Sequence, residues 1–135
     1  MDQQRPEPER LKRVLVADDD TAVCALLELV LAPIALVTTV NDAESALALL
    51  ATEPPFDAIV SDFMLPGLDG IEFVRRVRSD EQEGHVPILM ISGHGRLVSD
   101  SAKAAGCDAF LDKPFTLAQL RATIGSLLAP KVRFA

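Results

Sequence analysis

The strongest constraint on this chain is a fivefold alternation between short apolar runs and segments of helical period. Val14-Leu15-Val16-Ala17, Leu36-Val37-Thr38-Thr39-Val40, Ala58-Ile59-Val60, Ile88-Leu89-Met90-Ile91 and Ala109-Phe110-Leu111 are short, rich in β-branched residues and nearly all apolar. Runs of this kind suit parallel strands covered on both faces, which have no solvent side to alternate toward.

The intervening segments have the spacing of amphipathic helices. Val23, Leu26, Leu27 and Val30 recur at i, i+3, i+4 and i+7, and Pro33 bounds that helix. Ala43, Ala46, Leu47 and Leu50 repeat the pattern after Asp42, an expected N-cap. Gly70, Phe73, Val74 and Val77 follow Asp69, which with Glu72 has the spacing of a capping box. Thr116 and Gln119 open the last helix in the same way, and Leu117, Leu120, Ile124 and Leu128 are expected on one face. The fourth helix, residues 97–105, has the weakest pattern, with Leu97 and Val98 as its large apolar residues. Five strands alternating with five helices predict an α/β fold, a doubly wound five-stranded parallel sheet flanked by five helices. Ligands bind such sheets outside the carboxyl ends of the strands.

At 135 residues the chain suits one domain. Twenty acidic residues against 13 basic give a net charge of −7. That excludes a broad basic footprint for nucleic acid, so no direct nucleic-acid binding is expected. Much of an acidic surface serves solubility, but Asp18-Asp19-Asp20 concentrates three charges. Cys24 and Cys107 form neither a CxxC pair nor a disulfide framework, so two buried or partly buried free thiols are expected, as suits a reducing cytoplasm. No apolar run approaches the roughly 20 residues of a membrane span, and the polar, Pro-bearing start lacks the layout of a signal peptide. Residues 1–12 read as a solvated arm, 13–129 as the domain and 130–135 as a short tail. A stand-alone protein and a domain cut from a longer chain both stay open.

The strand ends carry the chemistry. The first run stops at Asp18-Asp19-Asp20, the third at Ser61-Asp62, the fourth at Ser92 and the fifth at Asp112-Lys113-Pro114. Four strands thus bring three carboxylates, a hydroxyl and an ammonium to one edge. Close carboxylates repel, and burial sharpens the repulsion. An all-oxygen set open to water suits Mg²⁺. A phosphoryl group could then be shared between the metal, Lys113 and Ser92, while a carboxylate facing the phosphorus acts as nucleophile. The chemistry alone does not say which carboxylate accepts.

From about residue 13 to residue 129 the sequence resembles bacterial two-component response-regulator receiver domains of the single-domain, chemotaxis-regulator kind. The matching pieces, in order, are residues 14–20, residues 57–70 around Ser61-Asp62-Phe63-Met64, Pro87-Ile88-Leu89-Met90-Ile91-Ser92-Gly93, and Phe110-Leu111-Asp112-Lys113-Pro114-Phe115. The resemblance implies a flavodoxin-like sheet in the order 2-1-3-4-5. It implies that Asp62 accepts the phosphoryl group from a partner histidine kinase or phosphotransfer protein. Asp19 would bind Mg²⁺ directly, Asp18 largely through water and Met64 through its backbone carbonyl, with Asp62 completing the set. Lys113 would pair with the phosphoryl group, a cis bond would precede Pro114, and Ser92 and Phe110 would be the switch residues. The face of the fourth helix, fifth strand and fifth helix would then change its affinity for a downstream protein. The domain would assist only its own phosphorylation and dephosphorylation and would not be an enzyme.

Blander readings exist for each residue taken singly. Asp18 or Asp19 could cap the first helix, as could Thr21, and Asp20 reads as a loop or helix-start residue. Phe110 could be plain core. Asp69, His85, Cys107 and Asp112 read as cap, loop and surface residues, while His94 lies near the pocket mouth. Gly93 stands where such domains more often carry alanine, and with Gly95 it gives the loop after the fourth strand unusual backbone freedom. Pro33 stands near where they often carry glycine. One rival is a phosphatase of the haloacid-dehalogenase type, which needs a second Asp at the position Met64 occupies. The other is a docking module that never takes phosphate.

Overall fold

Parallel strands need a crossover between neighbours, and in this chain every crossover is a helix. The computed structural model describes residues 11–81 and 84–129. Residues 1–10 of the expected arm and the expected tail, 130–135, lie outside the described residues. The elements run β1 (Lys12–Ala17), α1 (Thr21–Leu31), β2 (Ala35–Val40), α2 (Ala43–Thr52), β3 (Ala58–Asp62), α3 (Gly70–Ser79), β4 (Ile88–Ser92), α4 (Arg96–Ala105), β5 (Ala109–Asp112) and α5 (Leu117–Leu128). All four strand pairs are parallel, in the order β2-β1-β3-β4-β5. This is the doubly wound, flavodoxin-like order.

The two-residue period of a strand splits the core into two layers. Leu15, Ala17, Ile59, Ile88 and Met90 face a cluster with Phe73, Val74 and Val77 of α3, Ala46 of α2 and Ala102 of α4. Val14, Val16, Ala58, Val60, Leu89 and Ile91 face the other way, against Leu27 and Leu31 of α1 and Leu120 and Ile124 of α5. The central strands β3 and β4 are buried at every residue, which is why their runs lack alternation.

Helix starts follow their caps. Asp20 accepts the amides of Ala22 and Val23 and is the N-cap of α1. Asp42 accepts the amide of Ser45, and Thr116 and Gln119 close a reciprocal capping box. The Asp69–Glu72 box is half-formed. Asp69 accepts the Glu72 amide, while the Glu72 carboxylate faces Arg75 and Arg76 at 3.7 and 3.6 Å.

Two helical faces differ from the pattern. On α1 the buried residues are Cys24, Leu27, Val30 and Leu31, whereas Leu26 is exposed. Only Glu28 is charged in this helix, so the apolar pattern fits more than one face, and packing on Val14 and Val16 selects among them. Leu117 of α5 is likewise exposed. Helix α4 begins at Arg96 and buries Val98 and Ala102, leaving Leu97 87% exposed. A buried Val contributes roughly 1.5–3 kcal/mol, so α4 is the most lightly held helix.

At the edge opposite the polar strand ends, Arg78 ties three segments together. Its guanidinium donates to the carbonyls of Gly84 (3.2 Å), Val86 (2.6 Å) and Gly106 (2.9 Å), and pairs with Asp108 at 2.8 Å. Asp108 also accepts the Ile88 amide at 2.8 Å. Gly106 closes α4 in a left-handed conformation (φ 116°), where side chains are disfavoured. Both cysteines are free, Cys24 buried and Cys107 half-buried. Among the described residues no helix is long and apolar enough to cross a membrane.

Candidate functional site

Strand register brings the polar ends to one level. Ala17 lies opposite Ser61, so Asp18 and Asp62 leave β1 and β3 side by side. Asp62 lies opposite Ile91, and Ser92 opposite Asp112, so Ser92 and Lys113 follow one step further along the edge. The Lys113 amide donates to the Ser92 carbonyl at 2.8 Å and the Phe63 amide to the Ile91 carbonyl at 2.9 Å, extending the ladder into the loops. The Lys113–Pro114 bond is cis.

Behind Asp62 the chain turns tightly. Gly67 has φ 84°, and the Gly70 amide donates to the Phe63 carbonyl at 2.7 Å. A Cβ at Gly70 would lie 2.7 Å from the Asp62 carbonyl oxygen and 2.9 Å from Phe63 Cα. Only glycine lets the start of α3 approach the loop this closely.

Asp18, Asp19 and Asp62 converge, with carboxylate oxygens within 4.8 Å of one another. Asp18 and Asp62 are buried at 2% and 6% exposure, and Asp19 faces solvent. Lys113 Nζ pairs with Asp62 Oδ1 at 3.2 Å. Asp18 Oδ1 accepts the Asp20 amide at 2.9 Å, so Asp18 shapes the loop that Asp20 caps. Burial is the main cause that raises the Asp62 carboxyl above its ordinary 3.8. The Lys113 charge and hydrogen bond oppose it, and the Asp19 charge adds to it. Burial also raises Asp18; the Asp20 amide opposes this and the Asp62 charge reinforces it.

The remaining expected site residues lie around this cluster. Ser92 is buried, and its Oγ accepts the His94 amide at 2.9 Å. Met64 is exposed beside the acceptor strand's end. Phe110 is half-buried, pairs in register with Met90 and packs on the α2–α3–α4 layer, so it is neither free nor fully enclosed. Asp112 is exposed. One contact has no sequence signature: the His94 ring meets Phe63 edge-on at 5.6 Å between centroids and 71° between planes. Only a fold that places the β3–α3 and β4–α4 loops side by side reveals it.

Three carboxylates against one ammonium leave negative charge uncompensated in a half-enclosed site. The donors are all oxygen and one carboxylate is open to water, which fits a hard divalent cation such as Mg²⁺.

The comparisons with known proteins agree with this arrangement. The family model described as the response regulator receiver domain matches residues 14–125. Chemotaxis protein CheY-3 of Vibrio cholerae is 30% identical over 112 residues, 81% of this chain and 85% of that protein. Transcriptional regulatory protein PrrA of Mycobacterium tuberculosis is 40% identical over 119 residues, 86% of this chain and 49% of that protein. The chain spans about half the length of PrrA and of the similar response regulator MprA of Mycolicibacterium vanbaalenii. Chemotaxis response regulator CheY4 of Vibrio cholerae superposes with a TM-score of 0.81 at 32% identity, covering 88% of this chain and all of that one. The receiver domain of the sensor histidine kinase PA1611 from Pseudomonas aeruginosa superposes with a TM-score of 0.80 at 26% identity, covering 88% of this chain and 98% of that one. That structure holds a magnesium ion in its active-site cleft. With its sheet order, its strand-end carboxylates and this match, the chain belongs to the response regulator receiver domain family of two-component systems.

Proposed function

We propose that residues 13–129 take a phosphoryl group onto Asp62 from a phosphohistidine of a partner histidine kinase or phosphotransfer protein. The observation that carries this reading is the cluster of Asp18, Asp19 and Asp62 with Lys113 held 3.2 Å from the Asp62 oxygen. An Asp62 oxygen forms a bond to phosphorus as the bond between phosphorus and the donor imidazole breaks. The electron pair stays on the imidazole nitrogen. Lys113 offsets the charge of the phosphoryl oxygens, and the Ser92 hydroxyl donates to one of them. Asp19 directly, Asp18 largely through water, Asp62 and the Met64 backbone carbonyl are the groups that would hold Mg²⁺. The metal when bound supplies neutralisation of carboxylate and phosphoryl charge, and the magnesium in the PA1611 cleft supports the same assignment here.

Phosphorylation then shifts the population between two packings of Ser92 and Phe110, changing the affinity of the α4–β5–α5 face for a downstream protein. The domain acts in the cytoplasm and makes no direct nucleic-acid contact, in keeping with the net charge of −7. Incubation with acetyl phosphate and Mg²⁺ tests the reading. Incorporation that saturates at one phosphoryl group per chain supports it, and sustained turnover of unrelated phosphoesters overturns it in favour of a phosphatase.

The metal assignment predicts a pH-dependent stabilisation. Asp18 and Asp62 are raised, so the folded metal-free chain holds protons more tightly than the unfolded one. The pair's contribution to stability therefore falls as pH rises from 3.8 through the raised values. Mg²⁺ at ten times its Kd should restore about 1.4 kcal/mol at pH 7.5, seen as a higher Tm. That increment should vanish as pH falls and the carboxylates take protons; an increment equal at pH 4 and 7.5 would contradict the assignment. The exposed Met64 side chain is expected to shield the acyl phosphate from water. Met64→Asn should shorten the lifetime of the phosphorylated protein, measured by decay after the donor is removed, and an unchanged lifetime would refute the shielding.

A further inference from the structure

We propose that His94 is a positioning residue, whose ring, seated on Phe63, fixes the β4–α4 loop so that the Ser92 hydroxyl is presented to the phosphoryl group on Asp62. The inference rests on the receiver reading above and adds a residue that acts through Ser92.

Little in the local sequence fixes the β4–α4 loop. Gly93 has open space where a Cβ would stand, and Gly95 sits at φ 56°. Gly95 is the N-cap of α4 and offers no side-chain cap hydrogen bond. Ordering a segment with two glycines costs more conformational entropy than ordering ordinary residues, so something must hold it. Among the described residues the Gly95 carbonyl accepts the Val98 and Ser99 amides, and two further contacts come from His94. Its amide donates to Ser92 Oγ at 2.9 Å, which uses an oxygen lone pair and leaves the hydroxyl hydrogen free as a donor. Its ring packs edge-on against Phe63, the residue next to the acceptor.

Phe63 is itself fixed. Its amide and carbonyl are bonded to Ile91 and Gly70, and its ring packs on the core layer of α2, α3 and α4. The ring contact therefore ties the glycine-bearing loop to the hydrogen-bonded turn that follows Asp62. An edge-to-face pair supports an effect of roughly three- to tenfold on an equilibrium between ordered and disordered loop.

The test is the rate of Asp62 phosphorylation by acetyl phosphate with saturating Mg²⁺ in the full chain. His94→Ala should lower it roughly three- to tenfold, with Mg²⁺ affinity by calorimetry unchanged. His94→Phe, which keeps a ring for Phe63, should restore it to within about twofold of the parent. In a Ser92→Ala background, His94→Ala should cost nothing further, because the hydroxyl it positions is gone. An unchanged rate in His94→Ala, an equal loss in the Ser92→Ala background, or a failure of His94→Phe to restore the rate would each overturn the inference. Failure of the parent itself to be labelled would overturn the receiver reading and this inference with it.

Discussion

Arg78→Ala is expected to lower stability by about 2–4 kcal/mol, the largest loss from any single side chain outside the apolar core. The Arg78 side chain is only 19% exposed, and its guanidinium serves three carbonyls and a carboxylate. Removing it strands those carbonyls in a half-buried space, and frees the α4–β5 turn from α3. Lysine should not rescue, because a point charge cannot serve several acceptors in a fork. Chemical denaturation with an unchanged m-value checks this, and a loss under about 1 kcal/mol would show that water replaces the guanidinium at little cost. Asp62 phosphorylation per folded molecule should survive, since the latch sits at the opposite edge of the sheet.

At the site the largest effect is expected from Lys113→Ala. Losing one charged donor to the transferring group should slow Asp62 phosphorylation by about 10²–10³-fold. The same change removes the largest of the interactions that oppose burial at Asp62, leaving the Phe63 amide, so its carboxyl should rise further above the ordinary value. Mg²⁺ binding should consequently require a higher pH than in the parent. A phosphorylation rate within about threefold of the parent would show that Lys113 does not meet the phosphoryl group.

The parts of this molecule governed by local periodicity and by strand ends were legible in the sequence. The runs at residues 14–17, 58–60 and 88–91 announce strands covered on both faces, and strand ends of a parallel sheet share an edge. Asp18, Asp19, Asp62, Ser92 and Lys113 can therefore be grouped from the sequence; the structure brings Asp18, Asp19, Asp62 and Lys113 into contact distance and places Ser92 at the same strand edge. The strand order came with the family resemblance, because alternation alone does not say which strands are neighbours.

What was not legible depends on distance or on degeneracy. Arg78 meets Gly106 and Asp108, 28 and 30 residues away, and nothing local marks any of the three. The face of α1 was ambiguous because Ala25-Leu26-Leu27 and Leu29-Val30-Leu31 offer apolar residues in nearly every direction, and only the sheet beneath chooses Cys24 and Leu31 over Leu26. The His94–Phe63 contact joins two loops whose proximity follows from β3 and β4 pairing. The separation of His94 from Ser92 puts it near the pocket mouth, but no local pattern names Phe63 as its partner. Phe110 was expected to act as a switch. In the structure it is half-buried and packs against the α2–α3–α4 layer.

Of the three converging carboxylates, Asp62 is the proposed acceptor. The most direct test of this assignment is to treat the chain with acetyl phosphate and Mg²⁺, trap the acyl phosphate by borohydride reduction and map the modified residue by mass spectrometry. The account predicts modification at Asp62 alone, lost in Asp62→Asn and abolished by chelation of the metal. Modification at Asp18 or Asp19 in the parent chain, or undiminished labelling of Asp62→Asn, would contradict it.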